Sequence, residues 1–357
     1  MNGTSIESNE SGERPLVEVR EVRKWFPLAR GFAGRFAGSV RAVDGVTLSI
    51  PRGAILGLVG ESGCGKSTLG RLILHLLEPT GGTVSFDGVP LSRLPRHDLR
   101  ALRKRMQIVF QDPLSSLNPR LSIGSTLSEI LAVHAVVPRR QRADRIALLL
   151  ETVGLNAFHA NRFPHEFSSG QRQRIAIARA LAPEPEFLVC DEPVSSLDVS
   201  IQAQIINLLL DLRDTLQLTY LFISHDLHVV KHLADEIAVM YLGRIVEHGP
   251  VESVVASPIH PYTRALIRSV LPIDPRRRVG KPALSGDPPN PADVPPGCPF
   301  HPRCPDAYAE CKTVTPVFAT VGDRRTACLL YPECRPNGSE ANIDRSEMSK
   351  ETPDAVR

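Results

Sequence analysis

A glycine-rich stretch near the start of the chain has the residue types and spacing that phosphate binding requires. It reads GESGCGKS, from Gly60 to Ser67, after the apolar run AILGLVG and before the helical pattern TLGRLILHLL. Glycines let the backbone turn tightly and point amide groups at phosphate oxygens, and the helix N-terminus adds a favourable dipole. In such a loop the lysine bridges the β- and γ-phosphates and the serine hydroxyl ligates magnesium. The residues expected to bind the nucleotide here are Gly60, Glu61, Ser62, Gly63, Cys64, Gly65, Lys66, Ser67 and Thr68.

Two acidic residues end another apolar run, FLVCDE, far downstream. Asp191 stands at the end of the predicted strand, where it can hold the magnesium shell. Glu192 follows it and is the candidate general base, because a carboxylate beside the metal can orient and deprotonate the attacking water. Phosphoryl transfer depends mainly on positioning and charge neutralisation, so this pair and the glycine-rich stretch predict hydrolysis of a nucleoside triphosphate.

Apolar strands must position these residues. AILGLVG, EFLVCDEP and TYLFISHD are short apolar runs that end in glycine or polar residues, as buried parallel strands do. LVEVREV and VRAVDGVTLSI alternate apolar and polar residues as strands do, and helical patterns replace strands from about 115 to 180. We therefore predict an α/β domain with a helical insertion, whose ligand site lies at the carboxyl ends of the parallel strands.

Composition narrows the class of protein. The 357 residues carry a formal net charge of +3, which is too balanced to argue by itself for nucleic acid or an anionic membrane surface. The N-terminus lacks the layout of a secretory signal, and no apolar run reaches the ~18 residues of a membrane span. We expect a cytosolic chain that can dock on a membrane component and that binds no nucleic acid.

The stretch FSSGQRQRIAIARAL makes a family resemblance specific. The chain resembles, over roughly residues 15 to 250, the nucleotide-binding subunit of ATP-binding cassette (ABC) transporters, whose signature reads Leu-Ser-Gly-Gly-Gln. Gln111 falls at the family's Q-loop, Asp198 ends its D-loop as SSLD, and His225 looks like its switch histidine. The resemblance implies ATP and Mg²⁺ as cofactors, with a catalytic set of Glu192, His225, Lys66 and Gln111. It implies magnesium ligation by Ser67, Gln111 and Asp191.

The resemblance also implies an adenine contact and a shared ATP site. Phe26 sits where the family stacks an aromatic ring on adenine, although plain hydrophobic packing beside Trp25 is the alternative. The signature binds the γ-phosphate of ATP held by the partner's glycine-rich loop, so ATP needs two subunits. Here the signature reads Ser168, Ser169, Gly170, Gln171, with a serine at the first glycine. Ser169 would crowd the phosphate if its φ were positive and could donate a hydrogen bond otherwise, so we expect a working, weaker site.

Within the family the closest resemblance is to ATPase subunits of bacterial oligopeptide and dipeptide importers. The segments FQDPLSSLNPRLSIG and SPIHPYTRALIRSV carry it, and ESGCGKST favours the second of the two ATPases such systems use. The implied partners are a paralogous ATPase or a second copy, two membrane permease subunits and, indirectly, a solute-binding protein, with the chain peripheral on the cytoplasmic face of the inner membrane. Nickel, glycosides or opines are alternative solutes, and a soluble ABC ATPase acting on ribosomes or DNA is the remaining alternative.

The back of the chain concentrates cysteine and proline. Five of the seven cysteines fall in the last sixty residues, and nine of the residues from 282 to 305 are proline. Such a proline-rich segment is not expected to form a helical or sheet core, so it would need covalent cross-links or a bound metal to hold its shape. Cysteine clusters in a reducing compartment favour metal ligation over disulfides. The candidate ligands are Cys298, Cys304, Cys311 and Cys328, with Cys334 as the alternative fourth.

The ligand spacing lacks the close C-x-x-C pairs of common zinc sites. Related extensions of this branch hold a four-iron four-sulfur cluster, which the resemblance therefore implies; zinc and free or disulfide-linked thiols are the alternatives. Cys64 and Cys190 are expected to be buried apolar fillers. We expect the cysteine segment to fold the extension and not to touch ATP; docking on the partner ATPase is a second role left open.

The predicted fold class is an α/β, ABC-type P-loop ATPase with a RecA-like core, an N-terminal antiparallel β subdomain, a helical insertion and a small Cys/Pro-rich C-terminal extension. The predicted boundaries are a disordered tail at 1–14, an ATPase domain at 15–255 with its helical subdomain at about 115–180, an extension at 256–336, and a second disordered tail at 337–357.

Overall fold

The structure is a computed structural model, and it describes residues 14–28, 38–113, 117–269 and 286–336. Both predicted tails lie outside these residues, apart from Arg14. So do residues 29–37, between the first two strands.

A large sheet of eight strands forms the centre of the described structure, in the order β11-β12-β10-β9-β3-β8-β7-β6. Its parallel part consists of β3 (Ile55–Val59), β6 (Met106–Val109), β7 (Phe187–Asp191), β8 (Thr219–Ser224) and β9 (Glu236–Tyr241). Every residue of β3, β7 and β8 is buried, as expected for parallel strands covered on both faces. The three predicted apolar strands are thus neighbours, and their carboxyl ends meet at one edge.

A second, four-stranded antiparallel sheet comes from the N-terminal region, in the order β2-β1-β4-β5. Its strands are β1 (Val17–Pro27), β2 (Ser39–Ile50), β4 (Gly81–Phe86) and β5 (Val89–Pro90). Alternate residues of β1 and β2 are buried and pack with Leu56 and Leu58 of β3 in one core cluster. The predicted antiparallel β subdomain is confirmed.

Helices cover the large sheet and build the insertion. They are α1 (Lys66–Ile73), α2 (Arg96–Leu102), α3 (Ile123–Val133), α4 (Arg142–Thr152), α5 (Ser169–Leu181), α6 (Val199–Leu216), α7 (Leu227–Leu233), α8 (Val251–Ala256) and α9 (Pro261–Ser269). The helices α3, α4 and α5 form the predicted helical insertion, and buried leucines such as Leu127, Leu149 and Leu150 join them to the main core. The start of α5 is therefore held in place by packing within the insertion.

The C-terminal extension joins the large sheet, which the sequence did not predict. Strands β11 (Ala319–Val321) and β12 (Arg324–Thr326) form a short hairpin, and β12 pairs antiparallel with β10 (Arg244–Pro250). The prolines precede the hairpin, so they do not interrupt its ladder. The edge of the ATPase sheet supplies the hydrogen-bond partners. The hairpin lies downstream of the proline-rich residues 282–305, so the expectation about that segment stays a prediction.

Apolar packing against the ATPase core also holds the extension. Phe300 is fully buried and contacts the rings of Tyr241 and Tyr262, with centroid distances of 5.3 and 5.4 Å. His260 of the HPYTR segment precedes α9, and its backbone amide donates to the buried carboxylate of Glu247 at 2.9 Å. The segment is a structural turn into a helix, as the sequence indicates.

Candidate nucleotide-binding site

The glycine-rich loop connects the end of β3 to the start of α1. Gly60 and Gly65 have φ values of 154° and 109°. A β-carbon at either position would lie 2.2 Å from the carbonyl oxygen of Met240 or 2.0 Å from that of Ala42. Only glycine fits these two positions, because the neighbouring backbone comes too close. The loop therefore presents its amides at the N-terminus of α1, where an anion is favoured.

Lys66 is buried at the base of this loop. Its ammonium group donates to the carbonyl oxygens of Gly60 at 2.7 Å and Glu61 at 3.0 Å. The side chain is thus folded back over the loop, within the space that the loop encloses. An ammonium in this position is placed to interact with phosphate bound to the amides.

The predicted magnesium ligands meet across the site. The hydroxyl of Ser67, at the start of α1, donates to the carboxylate of Asp191, at the end of β7, over 2.7 Å. Asp191 is only 5% exposed, and burial raises the pKa of its carboxyl group. A hydroxyl and a carboxylate oxygen are the hard donors that Mg²⁺ prefers, so this pair suits that ion.

Two predicted catalytic side chains contact one carboxylate oxygen of a third. The Oε2 atom of Glu192 lies 3.2 Å from Nε2 of Gln111, which donates to it, and 3.2 Å from Nδ1 of His225. These residues follow β6, β7 and β8, so the parallel sheet brings them to one edge. Glu192 has a φ of 48°, an uncommon conformation for a residue with a side chain, of the kind found at functional sites.

The signature residues cap α5. The hydroxyl of Ser168 accepts from the backbone amide of Gln171 at 3.3 Å, and the Gln171 side chain accepts from the Ser168 amide at 3.1 Å. This reciprocal pair is a capping box, and the N-terminus of α5 that it caps is exposed at the surface. Ser168 and Ser169 are exposed, and their hydrogen-bonded turn faces away from the core. The arrangement suits contact with an anion on another molecule.

Ser169 occupies the position where the family signature has its first glycine. It is the first residue of α5 and is not among the described residues with positive φ, so a side chain causes no backbone strain here. Gly170 differs, because a β-carbon there would lie 2.6 Å from Cγ2 of Ile201 in α6. The second glycine is required for helix packing, whereas the first can be replaced without a clash inside this chain.

Phe26 and Asp198 lie at the surface. Phe26 is 38% exposed near the end of β1, with the ammonium of Lys24 at 5.3 Å from its ring centroid. The neighbouring Trp25 instead donates from its indole nitrogen to Asp44 at 3.2 Å. Asp198 is the exposed residue before α6 and makes no capping hydrogen bond with its side chain. Their roles toward ATP stay predictions.

Two residues of the C-terminal region contact the glycine-rich loop, which sequence reasoning missed. The guanidinium of Arg303 donates to both carboxylate oxygens of Glu61, at 2.7 and 2.9 Å. The hydroxyl of Tyr262 accepts from the Glu61 amide at 2.9 Å. No local pattern signals contacts between residues more than 200 positions apart. The cysteine segment thus contacts the glycine-rich loop through Arg303, and the expectation that the segment does not touch ATP stays a prediction.

The four predicted cysteine ligands line one small cavity. It has a volume of about 10 Å³ and is bounded by Cys298, Cys304, Cys311, Cys328, His260, Pro261, Phe300, His301, Asp306, Leu329 and Leu330. Burial raises the pKa of the thiols of Cys304 and Cys328 to about 12. Cys334 is not among the lining residues, and its thiol donates to the carbonyl oxygen of Thr326 at 3.2 Å. Of the two alternatives for a fourth thiol, Cys328 is the one at the cavity.

The described residues contain no group of three or more His, Cys, Asp or Glu side chains arranged to hold a metal ion. The arrangement of the described residues therefore does not support the predicted metal centre, whether zinc or iron–sulfur. The cavity between the thiols has room for about one water molecule. Cys64 and Cys190 are buried as predicted, and burial raises the pKa of both thiols.

Fold and site together define a class of protein. A glycine-rich loop and a Ser67–Asp191 pair lie beside a glutamate that contacts the Gln111 and His225 side chains, and a capped signature helix faces outward. This combination is that of a P-loop ATPase of the cassette type.

Comparisons with known proteins narrow the class. The family described as "ABC transporter" matches residues 43–195, and the family described as "Oligopeptide/dipeptide transporter, C-terminal region" matches residues 246–311. The oligopeptide transport ATP-binding protein AppF of Bacillus subtilis is 48% identical over 326 residues, covering 90% of this chain and 99% of that protein. A probable peptide ABC transporter ATP-binding protein of Sinorhizobium fredii is 47% identical over 335 residues, covering 94% of each chain. The chain belongs to the family of ABC transporter ATP-binding proteins that includes these relatives.

Solved structures agree with this assignment. The cbiO1 protein of Clostridium perfringens, part of an ABC transporter complex, has a TM-score of 0.59 at 28% identity, covering 69% of this chain and 92% of that one. A bacterial ABC transporter cassette solved as a dimer has a TM-score of 0.58 at 26% identity, covering 66% and 98%. Within the described ranges, no helix is both long and apolar enough to span a membrane.

Proposed function

We propose that this chain binds and hydrolyses ATP as one half of a head-to-tail pair of cassettes and thereby powers the import of oligopeptides or dipeptides. The observation that carries the ATPase part is the convergence of Gln111 and His225 on one oxygen of Glu192. The names of the relatives and the C-terminal family match support peptides as the solute.

The binding step uses the loop amides and Lys66. Phosphate oxygens accept from the backbone amides between Gly60 and Ser67, and the Lys66 ammonium neutralises their charge. Ser67, Asp191 and Gln111 are the residues that would hold Mg²⁺, which neutralises charge on the β- and γ-phosphates when bound. Phe26 would stack on the adenine ring.

The hydrolytic step uses Glu192 as general base. Its carboxylate accepts a proton from water as the water oxygen attacks the γ-phosphorus, and the bond from phosphorus to the bridging oxygen breaks to release ADP. Gln111 and His225, both 3.2 Å from Oε2, hold that carboxylate in place. His225 would donate a hydrogen bond to the γ-phosphate, which stabilises the charge in the transition state.

The second half of the site comes from another cassette. In this arrangement the ATP held by the partner faces the signature residues Ser168, Ser169, Gly170 and Gln171, together with Asp198, which precedes α6. The exposed, capped N-terminus of α5 supports this role. The partner is a paralogous ATPase or a second copy, and the pair would dock on two permease subunits at the cytoplasmic face of the inner membrane. Residues 112–119, of which 114–116 lie outside the described part, would meet a permease.

The solute is tested by assembling the complete transporter in liposomes. We expect a solute-binding protein loaded with peptide to stimulate ATP hydrolysis several-fold over the unloaded protein. Stimulation by nickel, a glycoside or an opine in place of peptide would contradict the peptide assignment and leave the ATPase assignment intact.

The iron–sulfur cluster stays a prediction. Three buried thiols and the half-buried thiol of Cys304 line one cavity, and four thiolates are the ligand set that a four-iron cluster requires. Against it stand two observations: the described residues contain no group arranged to hold a metal ion, and the cavity between the thiols is small and would have to widen. Iron and sulfide analysis of anaerobically purified protein decides the question, and protein without iron excludes the cluster.

A further inference from the structure

A short turn in the C-terminal extension forms hydrogen bonds with the glycine-rich loop. The turn His301–Arg303, named here the arginine turn, lies between Cys298 and Cys304. Both terminal nitrogens of Arg303 donate to the carboxylate of Glu61, at 2.7 and 2.9 Å. The Arg303 side chain is 5% exposed. Two parallel hydrogen bonds between a guanidinium and a carboxylate fix orientation as well as distance.

Each polar group of Glu61 has a partner. Its amide donates to the Tyr262 hydroxyl at 2.9 Å, and its carbonyl oxygen accepts from Lys66 at 3.0 Å. Tyr262 belongs to α9, outside the ATPase sheet, so the C-terminal region supplies partners for both the backbone and the side chain of Glu61. The loop segment that carries Glu61 is therefore held from the C-terminal side.

The arginine turn has a rigid base. Phe300 comes directly before it and packs with Tyr241 and Tyr262, and the last two rings lie 4.7 Å apart. The Arg303 guanidinium also lies 5.9 Å from the Tyr241 ring centroid. The three rings are fully or almost fully buried, so the guanidinium is held by packing rather than by solvent-exposed contacts.

Charge gives the contact a consequence for ATP. Glu61 is a carboxylate within the loop whose amides would bind phosphate, and like charges repel. The Arg303 guanidinium offsets that charge and keeps the carboxylate directed toward the extension. Without Arg303, Glu61 would leave an unpaired negative charge on the glycine-rich loop.

We propose that Arg303 is a positioning residue for ATP binding: it holds and neutralises Glu61 and so keeps the glycine-rich loop in its phosphate-binding form. This inference rests on the proposed function, because it presumes that the loop binds ATP. Arg303 acts through Glu61 and does not contact the nucleotide.

The test is titration of the full chain with a fluorescent ATP analogue, mant-ATP, in the presence of Mg²⁺. For Arg303→Met we expect the Kd to rise about tenfold or more, the size typical of losing a charge-assisted hydrogen-bonded pair. Arg303→Met combined with Glu61→Gln removes both charges, and we expect its Kd to return to within about threefold of the unmodified chain.

Arg335→Met is the matched control. Arg335 is also a 5% exposed arginine of the extension, and it donates to Tyr308 and pairs with Glu310, away from the loop. We expect its mant-ATP Kd to stay unchanged. Thermal unfolding of all variants shows which of them are folded. If Arg303→Met alone does not fold, the double variant still tests the inference.

Three results overturn the inference. They are an unchanged Kd in folded Arg303→Met, a failure of Glu61→Gln to restore binding, and an equal loss in Arg335→Met, which would mean that the extension acts only through general stability. If the unmodified chain does not bind mant-ATP, the proposed function fails instead, so the two failures are distinguishable.

Discussion

At the scale of single residues, the two glycine positions of the signature have different physical requirements. Gly170 is buried against Ile201, where a β-carbon would come within 2.6 Å of a side-chain carbon. Ser169 is exposed at the first position of α5 and has no comparable constraint. A serine is therefore tolerated at one position of this motif and a larger residue is excluded at the other.

This difference predicts that two substitutions change the stability of the fold by different amounts. Gly170→Ala should push α5 from α6 and lower the free energy of unfolding by about 1–3 kcal/mol, the usual range for overpacking. Ser169→Gly should change that free energy by less than 1 kcal/mol, about the helix-propensity difference. Urea unfolding curves of the two variants measure both. Equal destabilisation by the two would contradict the assignment of distinct roles.

Much of the candidate site could be predicted residue by residue. The glycine-rich loop, Asp191, Glu192 and His225 carry local signals, because each lies at or directly after the end of an apolar strand, whereas Gln111 was assigned through the family resemblance. Arg303 could not be predicted, since an arginine among prolines and cysteines carries no sign of its partner. Contacts over 242 positions depend on tertiary packing, which no local pattern encodes.

At the scale of secondary-structure elements, the start of α9 contains a buried histidine. His260 is 1% exposed, and its Nδ1 accepts from the Tyr262 amide at 3.0 Å, at the first turn of α9. Burial lowers the pKa of this histidine to about 3. The imidazole is therefore neutral in the folded chain at pH values where the unfolded chain binds a proton.

The lowered pKa predicts that acid weakens the fold through α9. Below the unfolded pKa of about 6.5 the unfolded state binds a proton that the folded state does not, so stability falls as pH falls toward about 3. The loss is about 1.4 kcal/mol per pH unit in that window. His260→Asn should be less stable at pH 7.5 and should show a smaller loss between pH 7.5 and 5.0 in urea unfolding.

An equal loss of stability with acid in His260→Asn and in the unmodified chain would show that other groups set the acid sensitivity. His97 offers a matched control, because its side chain is 82% exposed. His97→Asn should leave the pH dependence of unfolding as it is, because this side chain lies at the surface of the folded chain.

The elements differ in how well the sequence predicted them. Strands β3, β7 and β8 are continuous apolar runs, so they could be recognised and placed side by side. Strands β11 and β12 have three residues each and mixed polarity, and they form because β10 offers an open edge. Pairing with an edge is a property of the assembled sheet, which explains why the sequence did not predict it.

At the scale of the whole molecule, the chain is an ATPase cassette whose C-terminal extension is built into it. The hairpin β11–β12 extends the central sheet, Phe300 packs into the core, and Arg303 contacts the glycine-rich loop. The family match ends at residue 311, within this extension. The extension is thus a structural part of the nucleotide site as well as a feature of the transporter branch.

The central claim is that Glu192 is the general base of an ATPase, and the most direct test is single-turnover hydrolysis of radiolabelled ATP by the assembled cassette pair. With Glu192→Gln in this chain and the partner's equivalent site inactivated, we expect mant-ATP to bind within about threefold of the normal Kd. Hydrolysis should fall at least about 100-fold, the lower range for loss of a general base. Hydrolysis at the unmodified rate with intact ATP binding would contradict the account.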